Sequence, residues 1–422
     1  MDFDNENLEF LQSPTWLRYT HESYRSIENI RHRLAQTGVT ADRINHQIDQ
    51  IKKVRRVGGI PLTISSIKKQ FWFFPADCIL RKVHEIELAG QGLHDIISRN
   101  AAFTLDFYLD STVEEAISSA IYEGANSTRA QAQQLITSGT PPKTRDEWML
   151  VNNFRAMQWI KENKGKSFNT DLICDIHGIV TRNTLIGEDA AFAGKFRDDR
   201  VFVHSSRNEI KHEGIDYKKI ESAVNEVIEL VTNNSRYVPP LIQGILLHYF
   251  VAYIHPFFDG NGRTARALFY FTAMKNSLPF VELMSVSAYL KNYGRQYEKS
   301  FEYVVDNDLD ITYFIDFNLD ALLKAVTQVR AKVDFLVKIP NIKARYDLTD
   351  FQIALLQKTA LHKFRQIDVE SYAAEINRSR EIARQELKHL FSLGFMNERR
   401  EGKKYVYTIS LEVLMKSVAA YG

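Results

Sequence analysis

Across residues 111–337 apolar side chains recur every three or four positions, the spacing of helices that bury one face. That periodicity predicts helices over 112–122, 146–163, 170–182, 218–232, 240–254, 263–274 and 311–336. The stretch 241–254 is apolar nearly all round, so it reads as a helix buried on every side that delivers His255 at its end. Strand-like alternation is confined to 200–212, where Val201 and Val203 alternate with Phe202 and His204. The turn residues Ser205, Ser206, Arg207 and Asn208 follow, so a small hairpin is expected there. Residues 1–110 combine a helix expected over 22–35 with the aromatic run Phe71-Trp72-Phe73-Phe74, which stops at Pro75, and read as a helical N-terminal module. After Lys338-Ile-Pro-Asn the pattern shortens. Helices are expected near 351–363 and 369–376, then a turn at Asn377-Arg-Ser379, a third helix to Leu393 and two strands within 397–409. The fold class is therefore mainly α, with domains at 1–110, 111–337 and 338–422; the chain has no internal repeat and no low-complexity tract.

Composition narrows the choice of partners. The 422 residues carry 54 Lys and Arg against 52 Asp and Glu, a formal charge of +2, too small to drive bulk binding to nucleic acid or a membrane surface. The two cysteines, Cys78 and Cys174, lie far apart and form neither a disulfide framework nor a zinc spacing, as suits a reducing compartment. The first ten residues are acidic and lack an apolar signal core, and no run of about 18 apolar residues occurs. The expectation is a cytoplasmic protein with no membrane span.

Candidate chemistry concentrates in His255-Pro-Phe-Phe-Asp-Gly-Asn-Gly-Arg-Thr-Ala-Arg266. An imidazole accepts a proton, a carboxylate holds a divalent cation, glycines expose backbone N–H groups, and guanidiniums neutralise phosphates. The helix expected from Arg263 starts directly after Gly260 and Gly262, so its free amides and positive dipole end face the loop as an anion cradle. Gly260 to Ala265, with Glu282 about 20 residues further on, also fits a loose dinucleotide pattern; that fingerprint needs a preceding strand, and here a helix and His-Pro precede it. A Walker lysine motif is absent.

These twelve residues resemble the signature of the Fic family, His-Pro-Phe-x-Asp/Glu-Gly-Asn-Gly-Arg-x-x-Arg, at every specified position. Leu247-His-Tyr-Phe-Val-Ala-Tyr-Ile254 is similar to the family's preceding helix, and Ser287-Ala-Tyr-Leu-Lys-Asn-Tyr-Gly-Arg-Gln-Tyr297 to its nucleotide-proximal segment. The resemblance covers roughly residues 110–335. It implies a Fic-type helical bundle and transfer of AMP from ATP to a Ser, Thr or Tyr hydroxyl of a target protein. His255 would be the general base, Asp259 the Mg²⁺ ligand, and Gly260, Asn261 and Gly262 the stabilisers of the transferring phosphoryl group. Arg263 and Arg266 would clamp the distal phosphates, Asn292 and Tyr297 would border adenine, and Phe257 would anchor the loop. The hairpin over 200–212 matches the place of the family's target-binding flap, or is a plain surface hairpin. Gly194-Lys-Phe-Arg197 also resembles family sequence, with no catalytic duty assigned to Arg197; His177 and His248 read as structural.

Upstream, Ser119-Ala-Ile-Tyr-Glu123-Gly124 resembles the family's inhibitory motif, which implies that Glu123 pairs with Arg266 and blocks the γ-phosphate position. Ser119 and Glu123 are one helical turn apart, and Gly124 would end the helix in the left-handed conformation. An ordinary exposed glutamate is the plain alternative. The C-terminal domain resembles a winged helix-turn-helix. From 341 to 422 it holds 14 Lys and Arg against 10 Asp and Glu, with Arg378, Arg380, Arg384, Lys388, Arg399, Arg400, Lys403 and Lys404 placed to meet DNA phosphates or to form a solvated face around a protein contact. Other readings stay open: a different donor, removal of AMP, or a DNA-binding regulator that senses nucleotide. A homodimer is a further open expectation.

Overall fold

In chain order, two amphipathic helices, α1 (Ile27–Ala35) and α2 (Ala41–Gly58), lead into an antiparallel hairpin, β1 (Ile60–Ile64) and β2 (Lys69–Phe73). The computed structural model describes residues 9–100, 103–204, 210–233, 235–362, 365–402 and 404–421. A hairpin joins the helices of the helical module expected there. Its signal is period two: Ile60, Leu62 and Ile64 are buried while Pro61 and Thr63 are exposed, and Pro61 is tolerated because its partner Trp72 bonds through its own N–H and C=O to Leu309 and Ile311 rather than to β1. The chain continues through α3 (Asp77–Ser98), α4 (Thr104–Tyr122), α5 (Arg129–Ser138), α6 (Arg145–Asn163) and α7 (Thr170–Thr181). A second hairpin follows, β3 (Phe202–His204) and β4 (Ile210–Glu213), then α8 (Ile220–Thr232), α9 (Pro240–Ile254), α10 (Asn261–Lys275), α11 (Val286–Asn292), α12 (Gly294–Asp306) and α13 (Thr312–Lys338). Helix α4 starts eight residues before the expected Thr112, and the turn expected over 205–208 lies outside the described residues.

By contact the chain divides into two units: the described residues of 1–89, 114–281 and 285–325, and those of 90–113, 282–284 and 326–422. In the second, α14 (Asp350–Leu361), β5 (Ile367–Asp368), α15 (Val369–Ile376) and α16 (Arg380–Ser392) precede the hairpin β6 (Met396–Glu401) and β7 (Lys404–Ile409) and the closing helix α17 (Leu411–Tyr421). The three strands form one antiparallel sheet in the order β5-β7-β6.

In the first unit α9 is the central element. Leu241, Ile245, Leu247, Phe250 and Ile254 are at most 1% exposed around its whole circumference, as its unbroken apolar sequence requires. It packs along α8 and α10, and α10 in turn packs on α6 and α7. The first hairpin adds a cap: the fully buried Phe71 ring meets Tyr253, Phe250 and Tyr249 edge-on at 5.0, 5.2 and 5.9 Å. No helix among the described residues is long and apolar enough to cross a membrane.

Phe71→Ala leaves a hole against α9, the helix that carries the candidate site. The expected loss is about 3–5 kcal/mol of unfolding free energy, measured by urea titration; a loss below 1 kcal/mol would show that the hairpin does not brace α9.

Candidate active site

Helix α9 stops because Pro256 follows His255 and cannot supply the next amide hydrogen. His255 takes the left-handed conformation, φ 53° and ψ 60°, while its own N–H still reaches Val251 O at 3.0 Å. A non-glycine residue held there costs on the order of 1 kcal/mol or more, so something must hold it. Arg197 does, although its sequence context suggested no duty. Only 2% exposed, it donates from Nε to His255 O at 2.8 Å, from Nη1 to Asp199 O at 2.5 Å and from Nη2 to Ile215 O at 2.5 Å, and its N–H reaches Pro256 O at 3.0 Å. The His255 ring lies with Nδ1 3.2 Å from Ala252 O. A carbonyl only accepts, so Nδ1 carries the proton and Nε2 presents a lone pair. Burial lowers the pKa to about 4; the Ala252 carbonyl opposes that shift, and His212 and Arg197 deepen it. His255 is thus a neutral base with one free nitrogen.

The loop from 256 to 260 is braced on both sides. Asn261 accepts at Oδ1 from Phe257 N at 3.0 Å and donates from Nδ2 to Phe257 O at 2.7 Å. This side chain, expected to face a phosphoryl group, is spent inside the loop because the tight turn leaves two Phe257 backbone groups unpaired without it. Phe257 is fully buried, as expected of an anchor, and stacks on His177 with centroids 3.6 Å apart and planes 2° from parallel. His177 accepts from Gly194 N at Nδ1, 3.0 Å, so Nε2 holds the proton and donates to Asp259 O at 2.9 Å. Gly260, φ 81°, caps α10 where a Cβ would lie 2.5 Å from Thr181 Cγ2. The first amides of α10 lack intrahelical partners and point into the loop.

Arg266 on α10 is 3% exposed and gathers the residues expected to restrain it. Its Nη2 lies 2.8 Å from Glu123 Oε1, its Nε donates to Ser119 Oγ at 3.0 Å, and Nη2 also reaches Ser119 O at 3.3 Å. The guanidinium sits 5.4 Å from the Tyr122 ring centroid. Burial pulls its pKa down, but Glu123 and Tyr297 outweigh burial and raise it. Helix α4 ends at Tyr122, and Gly124 adopts φ 92°. The Glu123 carboxylate also fills the space over Gly262, where a Cβ would lie 2.3 Å from Oε1.

Arg263 does not clamp outward. It is 2% exposed and turned toward α7, donating from Nη1 to Val180 O at 2.8 Å and to Thr184 Oγ1 at 3.3 Å, with Nη2 3.4 Å from Asp259 Oδ1. Although only three residues from Arg266 on the same side of the helix, it reaches α7 where Arg266 reaches α4. Asp259 is 39% exposed and also pairs with Arg145 at 3.0 Å, a partner no local sequence signal identifies. No group of three or more His, Cys, Asp or Glu among the described residues could hold a metal ion by itself. Asp259 offers one carboxylate, enough for a hard cation that brings phosphate and water ligands with it.

Asn292 is exposed at the end of α11, its Nδ2 on Ala288 O at 3.2 Å. Tyr297 is a packing residue: 7% exposed, with its hydroxyl 2.8 Å from His248 Nε2 and its ring against Tyr122, it offers no face to a base. The hairpin β3–β4 is tied to the end of α9 by His212 Nε2 and Tyr253 O at 2.6 Å, and Phe202 is 41% exposed. In the C-terminal unit, Arg380, Arg384, Arg399 and Lys404 hold Glu370, Glu381, Glu401 and the pair Asp368 and Glu370, so much of the positive charge expected to face phosphates is locally neutralised; Lys403 lies outside the described residues.

Comparison with known proteins converges on this region. Residues 167–273 match the model of the Fic/DOC family. "Protein adenylyltransferase Fic" of Nematostella vectensis is 34% identical over 116 residues, 28% of this chain and 25% of that protein. "Protein adenylyltransferase fic-1" of Caenorhabditis elegans is 24% identical over 169 residues, 38% of this chain and 31% of that protein. The matches thus span a quarter to a third of these relatives. A Fic family protein from Desulfovibrio desulfuricans G20 shares the fold at a TM-score of 0.50, with 16% identity, over 78% of this chain and 96% of that one.

Burial lowers the pKa of His177 to about 4, of His248 to about 3 and of His255 to about 4. Because an unfolded histidine titrates near 6.5, the unfolded chain takes up protons first as pH falls. Stability should hold above pH 6.5 and erode steadily toward pH 4. Imidazole NMR shifts should show His255 still neutral at pH 5.5; a midpoint near 6.5 would overturn the neutral-base geometry.

Proposed function

From the premise that the chain carries a Fic/DOC-family domain, we propose that it is a protein adenylyltransferase held in check by Glu123. The observation that carries this reading is the pairing, across one short loop, of a neutral imidazole with a free Nε2 and a helix N-terminus whose adjacent guanidinium, Arg266, is already occupied by a carboxylate. A loop with a base at one end and an anion cradle at the other suits phosphoryl chemistry on a substrate hydroxyl.

In the proposed reaction a Ser, Thr or Tyr hydroxyl of the target protein attacks the α-phosphorus of ATP. The new bond joins that oxygen to phosphorus, the bond to the β-phosphate oxygen breaks, and pyrophosphate leaves. His255 Nε2 takes the hydroxyl proton, and its pKa near 4 keeps it in the accepting form at neutral pH. The amides opening α10 stabilise charge on the transferred group, Arg266 holds the distal phosphate once Glu123 leaves, and Asn292 borders adenine. Mg²⁺, when bound with the nucleotide, neutralises phosphate charge, and Asp259 is the carboxylate that would hold it. Arg263 and Arg145 fix that carboxylate from behind. The exposed edges of β3–β4 would receive an extended target segment.

Purified protein incubated with candidate targets and ATP labelled at the α-phosphate should transfer label weakly, and Glu123→Gly should transfer it at least about tenfold faster, the effect of removing ~1.4 kcal/mol of restraint. Adding His255→Ala should cut the rate by roughly 10²–10⁴. Label arriving from the γ-phosphate, or transfer that ignores His255, would refute the assignment.

A further inference from the structure

Glu115 is used by none of the chemistry above, yet it is a carboxylate only 3% exposed in the middle of α4, four residues before Ser119 and eight before Glu123. On a helix those three share one face. A buried carboxylate survives only where donors replace water. Here Ser285 Oγ donates to Oε2 at 2.9 Å, Ser287 N to Oε2 at 3.0 Å and Ser287 Oγ to Oε1 at 2.5 Å. The Tyr270 hydroxyl, which accepts from Val286 N at 3.0 Å, also hydrogen-bonds Glu115. No cation among the described residues forms a direct ion pair with it. All these groups cap or adjoin the first turn of α11, and Ser285 is its N-cap, accepting from Ala288 N at 3.2 Å with the same hydroxyl that donates to Glu115.

We infer that Glu115 is a positioning residue that pins α4 to the start of α11, sets the reach of Glu123 to Arg266, and so couples restraint to the helix ending at Asn292. The inference rests on the proposed autoinhibition and deepens it. Two features make the pin specific. Three of its donors come from Ser285 and Ser287 in one capped turn, so a shift of α11 moves several bonds at once. Its acceptor lies two helical turns from Glu123, about 12 Å along an ideal helix, so a small tilt at the pin becomes a larger displacement at the carboxylate. Asn153 adds a guide from α6, its Nδ2 donating to Ala116 O at 3.3 Å, and this fixes helix depth without replacing the Glu115 bonds.

The test is a cycle on the full chain with α-labelled ATP: wild type, Glu115→Gln, Glu123→Gly and the double variant, with Ser287→Ala as an independent cut of the same pin. Glutamine keeps the volume but turns one acceptor into a donor that faces Ser287. If Glu115 acts through Glu123, Glu115→Gln and Ser287→Ala each raise transfer about three- to tenfold in the wild-type background, and Glu115→Gln changes nothing once Glu123 is glycine. Equal effects in both backgrounds, or no rise beside an active Glu123→Gly protein, overturn the pin while leaving autoinhibition standing. Should Glu123→Gly itself fail to activate, the autoinhibition reading falls, and amide hydrogen exchange decides the pin: Glu115→Gln should speed exchange over 119–125 by at least tenfold with an unchanged urea midpoint. Unchanged exchange there overturns it.

Discussion

A guanidinium cannot shed its proton to escape burial, so an arginine as enclosed as Arg266 needs acceptors in place of water. Much of the site follows from that constraint. Here α4 supplies them, with Ser119 satisfying the Nε donor and the anionic Glu123 the Nη2 donor. Removing one partner of such a buried pair costs about 3–5 kcal/mol when nothing replaces it. In the proposed reaction a distal phosphate that arrives as Glu123 departs would exchange one anion for another. The exchange is asymmetric: Glu123 remains 26% exposed and can withdraw into water, whereas Arg266 is fixed on a helix buried along its length.

The loop from His255 to Gly260 obeys the opposite logic, since it is held at several points. His255 is held left-handed by an arginine 58 residues upstream, Phe257 is clasped by Asn261 and stacked on His177, and Asp259 is gripped at its carbonyl by His177 and at its carboxylate by two guanidiniums. A rigid loop facing a releasable lid puts the strain in the chemistry and the mobility in the restraint.

The long helices, the buried α9 and the twelve-residue motif were legible because their signals are local: period, proline punctuation and a dense cluster of chemistry. The pairing of Glu123 with Arg266 was legible only through resemblance, since the two lie 143 positions apart. What stayed hidden was whatever depended on which way a side chain turns. Arg263 and Asn261 carry the right chemistry for phosphate, but α7 and the Phe257 backbone claim them first. Tyr297 sits in a segment that suggested adenine, and the nonpolar surroundings of His248 drew it inward. Arg145, Arg197 and Glu115 act across the chain, where single-sequence reasoning has no handle. The hairpin β1–β2 was overlooked because two prolines and an aromatic run masked a clean alternation of Ile60, Leu62 and Ile64.

Gly262 is the position over which the Glu123 carboxylate rests. Its missing side chain lets a carboxylate oxygen rest where even a methyl group would collide, and under the proposed function the same gap would admit a phosphate to the helix end. The two occupants would then compete for a volume set by one hydrogen atom. A lineage that needed a permanently active protein could not reach it by enlarging position 262, because evicting the carboxylate would also narrow the berth for nucleotide. The accessible routes run through the lid, at Glu123 or the helix that carries it, and this places the evolutionary freedom of regulation on a different segment from that of chemistry.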